Sequence, residues 1–294
     1  MNATNPDPVS PHIAFLDGRG DLPMLEITTR WSTAEIYLHG AHVTLFKCHD
    51  EPPLLFLSQC SRFEKDAPIR GGVPIIFPWF GKPAGQSGQH GFARSRDWAL
   101  KEIDTPAGGS VTVRLALPPC PELADGKITI EYLVQVNTTL TAELVVQNNS
   151  IHDFSFENCL HTYFAVGDIS AVSVAGLKGV DYLDQPAAFA RKTETDDAIR
   201  FAGEVDRAYL NTTHAVDIHD SSLSRTIRVE KSGSHSTVVW NPWVAKAKAM
   251  SDFGDDEYLR MVCVESGNVA DNRLTLAPGK SAAIKIKLSS AALK

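Results

Sequence analysis

Apolar and polar side chains alternate with a period of two over segment after segment of this chain, and that pattern commits the backbone to strands with one buried face. Between Ile128 and Val136 one side holds Ile128, Ile130, Tyr132, Val134 and Val136, with Thr129, Glu131 and Gln135 on the other. Leu140, Ala142, Leu144 and Val146 repeat the pattern just beyond the polar Asn137, Thr138 and Thr139, so the two runs predict a β-hairpin. Val111, Val113, Leu115 and Leu117 form a similar stripe, as do Ile227 with Val229, and Ala282, Ile284, Ile286 and Leu288. No long stretch has the i, i+3, i+4, i+7 spacing of an amphipathic helix, which removes the βαβ pattern of nucleotide-binding α/β folds. The expected class is all-β, a large antiparallel sandwich.

No proline-, glycine- and serine-rich linker divides the chain into separately patterned halves and no internal repeat is evident, so one domain is expected over residues 13–294. Residues 1–12, polar, proline-containing and aperiodic, read as a flexible arm. With 43% hydrophobic residues the chain can bury a large core. Its net charge of −7 argues against general affinity for nucleic acid or anionic membrane, because both need a dense positive surface. An anionic ligand must then be held by a few local arginines. MNATNPDPVSP has neither a basic n-region nor an apolar h-region, and no apolar run is long enough to span a bilayer, so a cytoplasmic protein is expected.

Cys48, Cys60, Cys120, Cys159 and Cys263 are odd in number and widely spaced, which fits reduced thiols, and none forms a CxxC pair. His39 with His42, and His214 with His219, lack the accompanying carboxylates of a catalytic metal site. The acidic run Asp252 to Glu257 lacks calcium-loop spacing and reads as a solvated loop. No metal and no cofactor is expected.

The proline- and glycine-rich segment IRGGVPIIFPWFGKPAGQSGQHGFARSRDW, Ile69 to Trp98, must be largely ordered loop, the usual carrier of sites on a β scaffold. Arg70 before Gly71-Gly72 and Arg94 after Gly91-Phe92-Ala93 offer forked donors suited to phosphate. Pairing of both with surface carboxylates is the simpler alternative. No GxxxxGK[ST] loop occurs, since Gly81-Lys82 is followed by Pro83. A histidine among Leu160, Thr162, Tyr163 and Phe164 is, on its own, more often a hydrogen-bonded core residue than a catalyst. Glu265 follows the apolar run Met261 to Val264, where a buried carboxylate needs a partner or a pocket.

RGGVPIIFPWFG followed closely by QHGFAR and a tryptophan resembles the signature of hexose-6-phosphate 1-epimerases, the phosphosugar branch of the galactose-mutarotase-like aldose-1-epimerase superfamily. The likeness continues in HTYFAVGDI, GLKGVDYLD, EVDRAY, VVWNPW and VCVESGNV, and covers nearly all of the chain after residue 30. The resemblance implies a twisted β supersandwich whose concave face holds a small phosphosugar. It also implies His161 in LHTYF and Glu265 in CVESGN as the catalytic pair, and Arg70, Gln89, Arg94 and Asp206 as substrate contacts. Mutarotation needs one acid and one base, and Glu265 would take the C1 hydroxyl proton while a protonated His161 gives one to the ring oxygen. Asp206 is then either the carboxylate that keeps His161 charged or an acceptor for a sugar hydroxyl. His90 either helps position the sugar or supports its loop, and Trp243 is the tryptophan expected nearest the site. The rival readings are a mutarotase of unphosphorylated sugars, which has no use for both arginines, and a noncatalytic sugar-phosphate-binding protein. An enclosed small-molecule site does not need a subunit interface, so a monomer is expected.

Overall fold

The computed structural model describes residues 10–86 and 88–293. Most of the arm expected over residues 1–12 lies outside the described residues, and His12 already opens the strand His12–Asp17. A nine-stranded antiparallel sheet carries every stripe read from the sequence. Ile128–Val136 and Leu140–Asn148 form the expected hairpin, closing with Val136 opposite Leu140. Val111–Ala116 flanks that hairpin on one side and Ser281–Ala292 on the other, and Ser281–Ala292 pairs in turn with Arg225–Ser232. Strands from the middle and the end of the chain are thus interleaved in one sheet. Burial follows the period of two, with Ile128, Ile130, Tyr132, Val134 and Val136 all buried.

An eight-stranded sheet packs against this one, with central order Val205–Leu210, Ser236–Asn241, Met261–Asn268, Asn158–Leu160 and Ile75–Ile76. A four-stranded sheet, His12–Asp17 through His42–Cys48, closes the core beside them. One large buried cluster joins all three, taking Val113, Tyr132, Leu144 and Ile284 from the first sheet, Leu160, Tyr209, Val239, Val262 and Val264 from the second, and Ile27, Ile36 and Val43 from the third. Among the described residues the sole α-helix is the short Trp243–Ala249, and no helix is long and apolar enough to cross a membrane.

Alternation on the eight-stranded sheet decides what its other face can be. Val262 and Val264 enter the sheet-to-sheet core, so Cys263 and Glu265 must point away from it. Val239 and Tyr209 likewise turn inward, leaving Val238 and Trp240, and Asp206 and Ala208, on the outer face. Loops cover that face, and every residue of Met261–Asn268 is buried.

His42 anchors one of those loops. Its Nε2 lies 2.7 Å from the Gly71 carbonyl, which can only accept, so the proton is on Nε2, and Nδ1 has no partner among the described residues. Complete burial pulls this imidazole down to about 3. The folded state therefore binds fewer protons than the unfolded chain between about pH 6.5 and 3, and this contribution is complete above pH 6.5 and lost progressively on acidification. At pH 5 the unfolded chain gains about 2 kcal/mol from it. Urea unfolding of His42→Gln, which keeps a donor for Gly71, is expected to show a loss between pH 7.5 and pH 5 smaller by about that amount than the wild type's.

Candidate active site

A pocket of about 540 Å³ opens on the outer face of the eight-stranded sheet, and Arg70, Gln89, His90, Arg94, His161, Asp206 and Glu265 all line it. All seven residues singled out from the sequence therefore meet in one place, although up to 195 positions separate them in the chain.

Glu265 sits on Met261–Asn268 opposite Val238 of the neighbouring strand. His161 follows Asn158–Leu160, its backbone N–H donating to the Pro74 carbonyl at 3.0 Å. Aromatic packing, not hydrogen bonding, sets its ring: it stacks on Tyr163 at 4.9 Å and meets the edges of His90 at 5.7 Å and Trp240 at 6.0 Å. Nε2 lies 3.2 Å from Glu265 Oε1, with the side chains 8% and 1% exposed. His161 Nδ1 has no partner among the described residues.

Burial dominates the electrostatics of the pair. It pushes the His161 imidazole well below its ordinary value, and His90, Arg94 and Arg70 push the same way. Burial also pushes the Glu265 carboxyl well above its ordinary range, reinforced by the nearby Asp206. Removing either charge from water costs several kcal/mol, so burial favours a neutral imidazole beside a protonated carboxyl. That state holds the same number of protons as imidazolium beside carboxylate. Burial thus works against the imidazolium that the sequence reading expects beside a carboxylate. Asp206 bears on Glu265 instead, and its own Oδ2 is engaged by Lys246 Nζ at 3.2 Å.

The two arginines differ. Arg70 donates to both Asp252 oxygens, with Nη2 3.0 Å from Oδ2, and its Nη1 donates to the Tyr163 hydroxyl at 3.0 Å. The carboxylate alternative thus holds for Arg70 even though it lines the pocket. Arg94 is 7% exposed, and its side-chain hydrogen bond among the described residues goes to the Gln89 carbonyl, 2.8 Å from Nη2. Burial and the neighbouring Arg70 bring it down to about 10. A buried guanidinium without a carboxylate is a strong demand for an anion.

His90 is built into its loop. Its Nδ1 accepts from the Gly81 N–H at 3.2 Å, which puts the proton on Nε2, so the Gln89 side-chain amide 3.1 Å away must turn its oxygen to that N–H. Support of the loop and a place in the lining are both realised.

Two expectations fail. Trp243 packs on Tyr258 at 5.3 Å away from the lining, and the tryptophan of VVWNPW that faces the pocket is Trp240. The reason is the strand's alternation, which ends at Asn241. The acidic run is also more than a solvated loop, because Asp252 holds Arg70, while Glu257 accepts from Ser58 Oγ at 2.6 Å and the Gln59 N–H at 2.8 Å. Lys246 was not foreseen, since seven helical residues carry too little periodicity to read. Nor was Cys263, whose thiol lies with His161 Nε2 or Nδ1 and a Glu265 oxygen within a mutual 4.8 Å. Such a trio could hold a soft divalent cation only by losing a thiol proton that burial and Glu265 keep in place.

The family described as "Aldose 1-epimerase" matches residues 23–289. The chain belongs to the aldose 1-epimerase family. This epimerase is 42% identical over 269 residues to a protein of Cenchrus ciliaris named "Putative glucose-6-phosphate 1-epimerase", covering 87% of the chain and 80% of the relative. A protein of the same name from Salmonella typhimurium is 36% identical over 255 residues, with 84% and 83% covered. The crystal structure of a "putative mutarotase" from Salmonella typhimurium superposes with a TM-score of 0.86 at 31% identity, covering 99% and 96% of the two chains. A galactose mutarotase-like protein from Clostridium acetobutylicum, 14% identical with a TM-score of 0.71 over 96% and 98%, shares the fold. The all-β galactose mutarotase-like class is the one expected.

Gly91 holds the epimerase's arginine loop against the sheet. It bridges to Phe77 with φ +71°, and a Cβ there would lie 1.9 Å from the Phe77 carbonyl. Gly91→Ala is therefore expected to lower the unfolding free energy by roughly 2–4 kcal/mol, read by denaturant titration.

Proposed function

We propose that this epimerase interconverts the α and β anomers of an aldohexose 6-phosphate, with glucose 6-phosphate the first substrate to test. The observation that carries the reading is the 3.2 Å contact of His161 with Glu265 in a pocket that also receives the Arg94 guanidinium. Opening a hemiacetal exchanges protons at two oxygens borne by one carbon, and two side chains in mutual contact suit that task. Glu265 takes the C1 hydroxyl proton, His161 gives a proton to the ring oxygen, the bond from C1 to the ring oxygen breaks, and C1 becomes a carbonyl. Rotation about C1–C2 turns the aldehyde over, and the reverse transfers close the ring on its other face.

The resting pair holds its shared proton on Glu265, whereas the reaction needs it on His161. The phosphate supplies the bias. Its negative charge beside Arg94 and Arg70 offsets the part of the depression of His161 that those cations cause, which favours the imidazolium against the larger effect of burial. Acid–base transfer of this kind requires neither metal nor redox group, so none is proposed.

A mutarotase of neutral sugars is the second reading, favoured by the Arg70–Asp252 pair and opposed by Arg94. The seven lining residues need no subunit interface, which supports a monomer, and five free thiols support a reducing cytoplasm. The interleaving of Ser281–Ala292 between Leu140–Asn148 and Arg225–Ser232 supports a single domain over residues 13–294.

Two-dimensional exchange NMR on glucose 6-phosphate and on free glucose tests the reading. Exchange accelerated for the phosphosugar, with kcat lowered about 10²–10⁴-fold in His161→Ala and in Glu265→Gln, is expected. Arg94→Ala is expected to raise KM for the phosphosugar roughly 10–100-fold, the cost of losing charge-assisted bonds, while leaving any turnover of free glucose little changed. Faster exchange of glucose than of its phosphate would transfer the proposal to neutral sugars, and no exchange of either would favour a binding protein.

A further inference from the structure

Glu265 has two carboxyl oxygens, and the reaction uses one. Oε1 faces His161, while Oε2 lies 3.5 Å from the Cys159 sulfur with the thiol donating. We propose that Cys159 is a positioning residue for the reaction: its S–H holds Oε2 and so keeps Oε1 turned to His161. The inference rests on the epimerase reading above.

The sheet builds this contact deliberately through register. Cys159 lies on Asn158–Leu160 directly opposite Gly267 of the Glu265 strand. A Cβ on Gly267 would stand 2.7 Å from the Cys159 Cβ and 2.4 Å from the Asn158 carbonyl, so a side chain there would expel the thiol from its place. Leu160 turns into the main core, which sends Cys159 to the pocket side with Glu265. Both residues are buried, and Oε2 is thereby kept off water. Burial and the adjacent Glu265 raise the thiol well above its ordinary value, so it remains a donor.

The other groups that face the carboxyl are His161 and Tyr163 on the segment after Cys159, Asp206 on Val205–Leu210, Arg94 on the turn Ala93–Ser95, and Cys263 on its own strand. Lys231, whose Nζ donates to Ser236 O and Thr237 Oγ1, lies behind Cys159. Of these, Cys159 and Arg94 favour the carboxylate, and Asp206 opposes it. Loss of the thiol removes more stabilisation from the carboxylate than from the neutral carboxyl, because a charged acceptor makes the stronger bond. In the free protein, where Glu265 carries the proton, its apparent pKa governs the alkaline limb of kcat/KM, and the acid limb belongs to His161.

The test has two arms. In Cys159→Ala the alkaline limb of kcat/KM is expected to move up by about one pH unit with the acid limb in place, and Cys159→Ser, which restores a donor, is expected to move it back. An unmoved limb, or a loss of activity uniform with pH, would overturn the proposal, since a residue that only packs has no reason to shift one limb. The second arm needs no turnover, so it separates failure of this proposal from failure of the epimerase reading. The infrared S–H stretching band that disappears in Cys159→Ala is expected at the lowered frequency of a thiol donating to a carboxyl, and to shift in Glu265→Gln. A band at the frequency of a free thiol, or one that ignores Glu265→Gln, contradicts the contact.

Discussion

The contact between His161 and Glu265 depends on a carboxyl being held where water does not reach. A strand that sends Val262 and Val264 into the core must send Cys263 and Glu265 to its opposite face. Here that face is itself roofed by loops, so Glu265 is 1% exposed instead of solvated. The cost of charging it there, and of charging the equally buried imidazole beside it, is what turns an ordinary ion pair into a neutral pair with one transferable proton. The rest of the site serves that condition. Tyr163, Trp240 and His90 fix the ring without supplying Nδ1 with a partner, and the loop from Arg70 to Arg94 brings cations close enough to bias the proton.

The two arginines divide the work of admitting an anion. Arg70 is fixed in advance by Asp252 and Tyr163, which lowers the ordering cost on binding but spends part of its charge. Among the described residues Arg94 is held by a backbone carbonyl and no carboxylate, which leaves its charge for the ligand. An anion between them would both anchor the sugar and relieve the field on His161, so recognition and acid strength are coupled through the same two side chains. This coupling distinguishes the site from one in which phosphate is only a handle.

Much of the fold was legible because a period of two is a local property. The stripes at Val111, Ile128, Leu140, Ile227 and Ala282 each became a strand of one sheet, and the continuous apolar run Met261 to Val264 marked Glu265 as a carboxylate in need of a pocket. The family resemblance in LHTYF, CVESGN, RGG and HGFAR named the residues that the pocket assembles. What stayed hidden depends on long-range register. Asp252 reaches Arg70 across 182 positions, and Cys159 reaches Glu265 only because Gly267 lies opposite it. Lys246 comes from a helix too short to leave a pattern, and it engages Asp206 Oδ2. The burial of His161 is hidden for a related reason, and together with the nearby cations it pushes the imidazole down, against the charged form expected.

The most direct test is the protonation state of His161, read from its ¹⁵N imidazole shifts in the free protein and with 1,5-anhydroglucitol 6-phosphate, which has no C1 hydroxyl and cannot react. The account predicts a neutral imidazole in the free protein between about pH 6 and pH 8, and imidazolium character on binding the phosphate compound. An imidazolium already present in the free protein at neutral pH, or a neutral ring that the phosphate leaves unchanged, would contradict it.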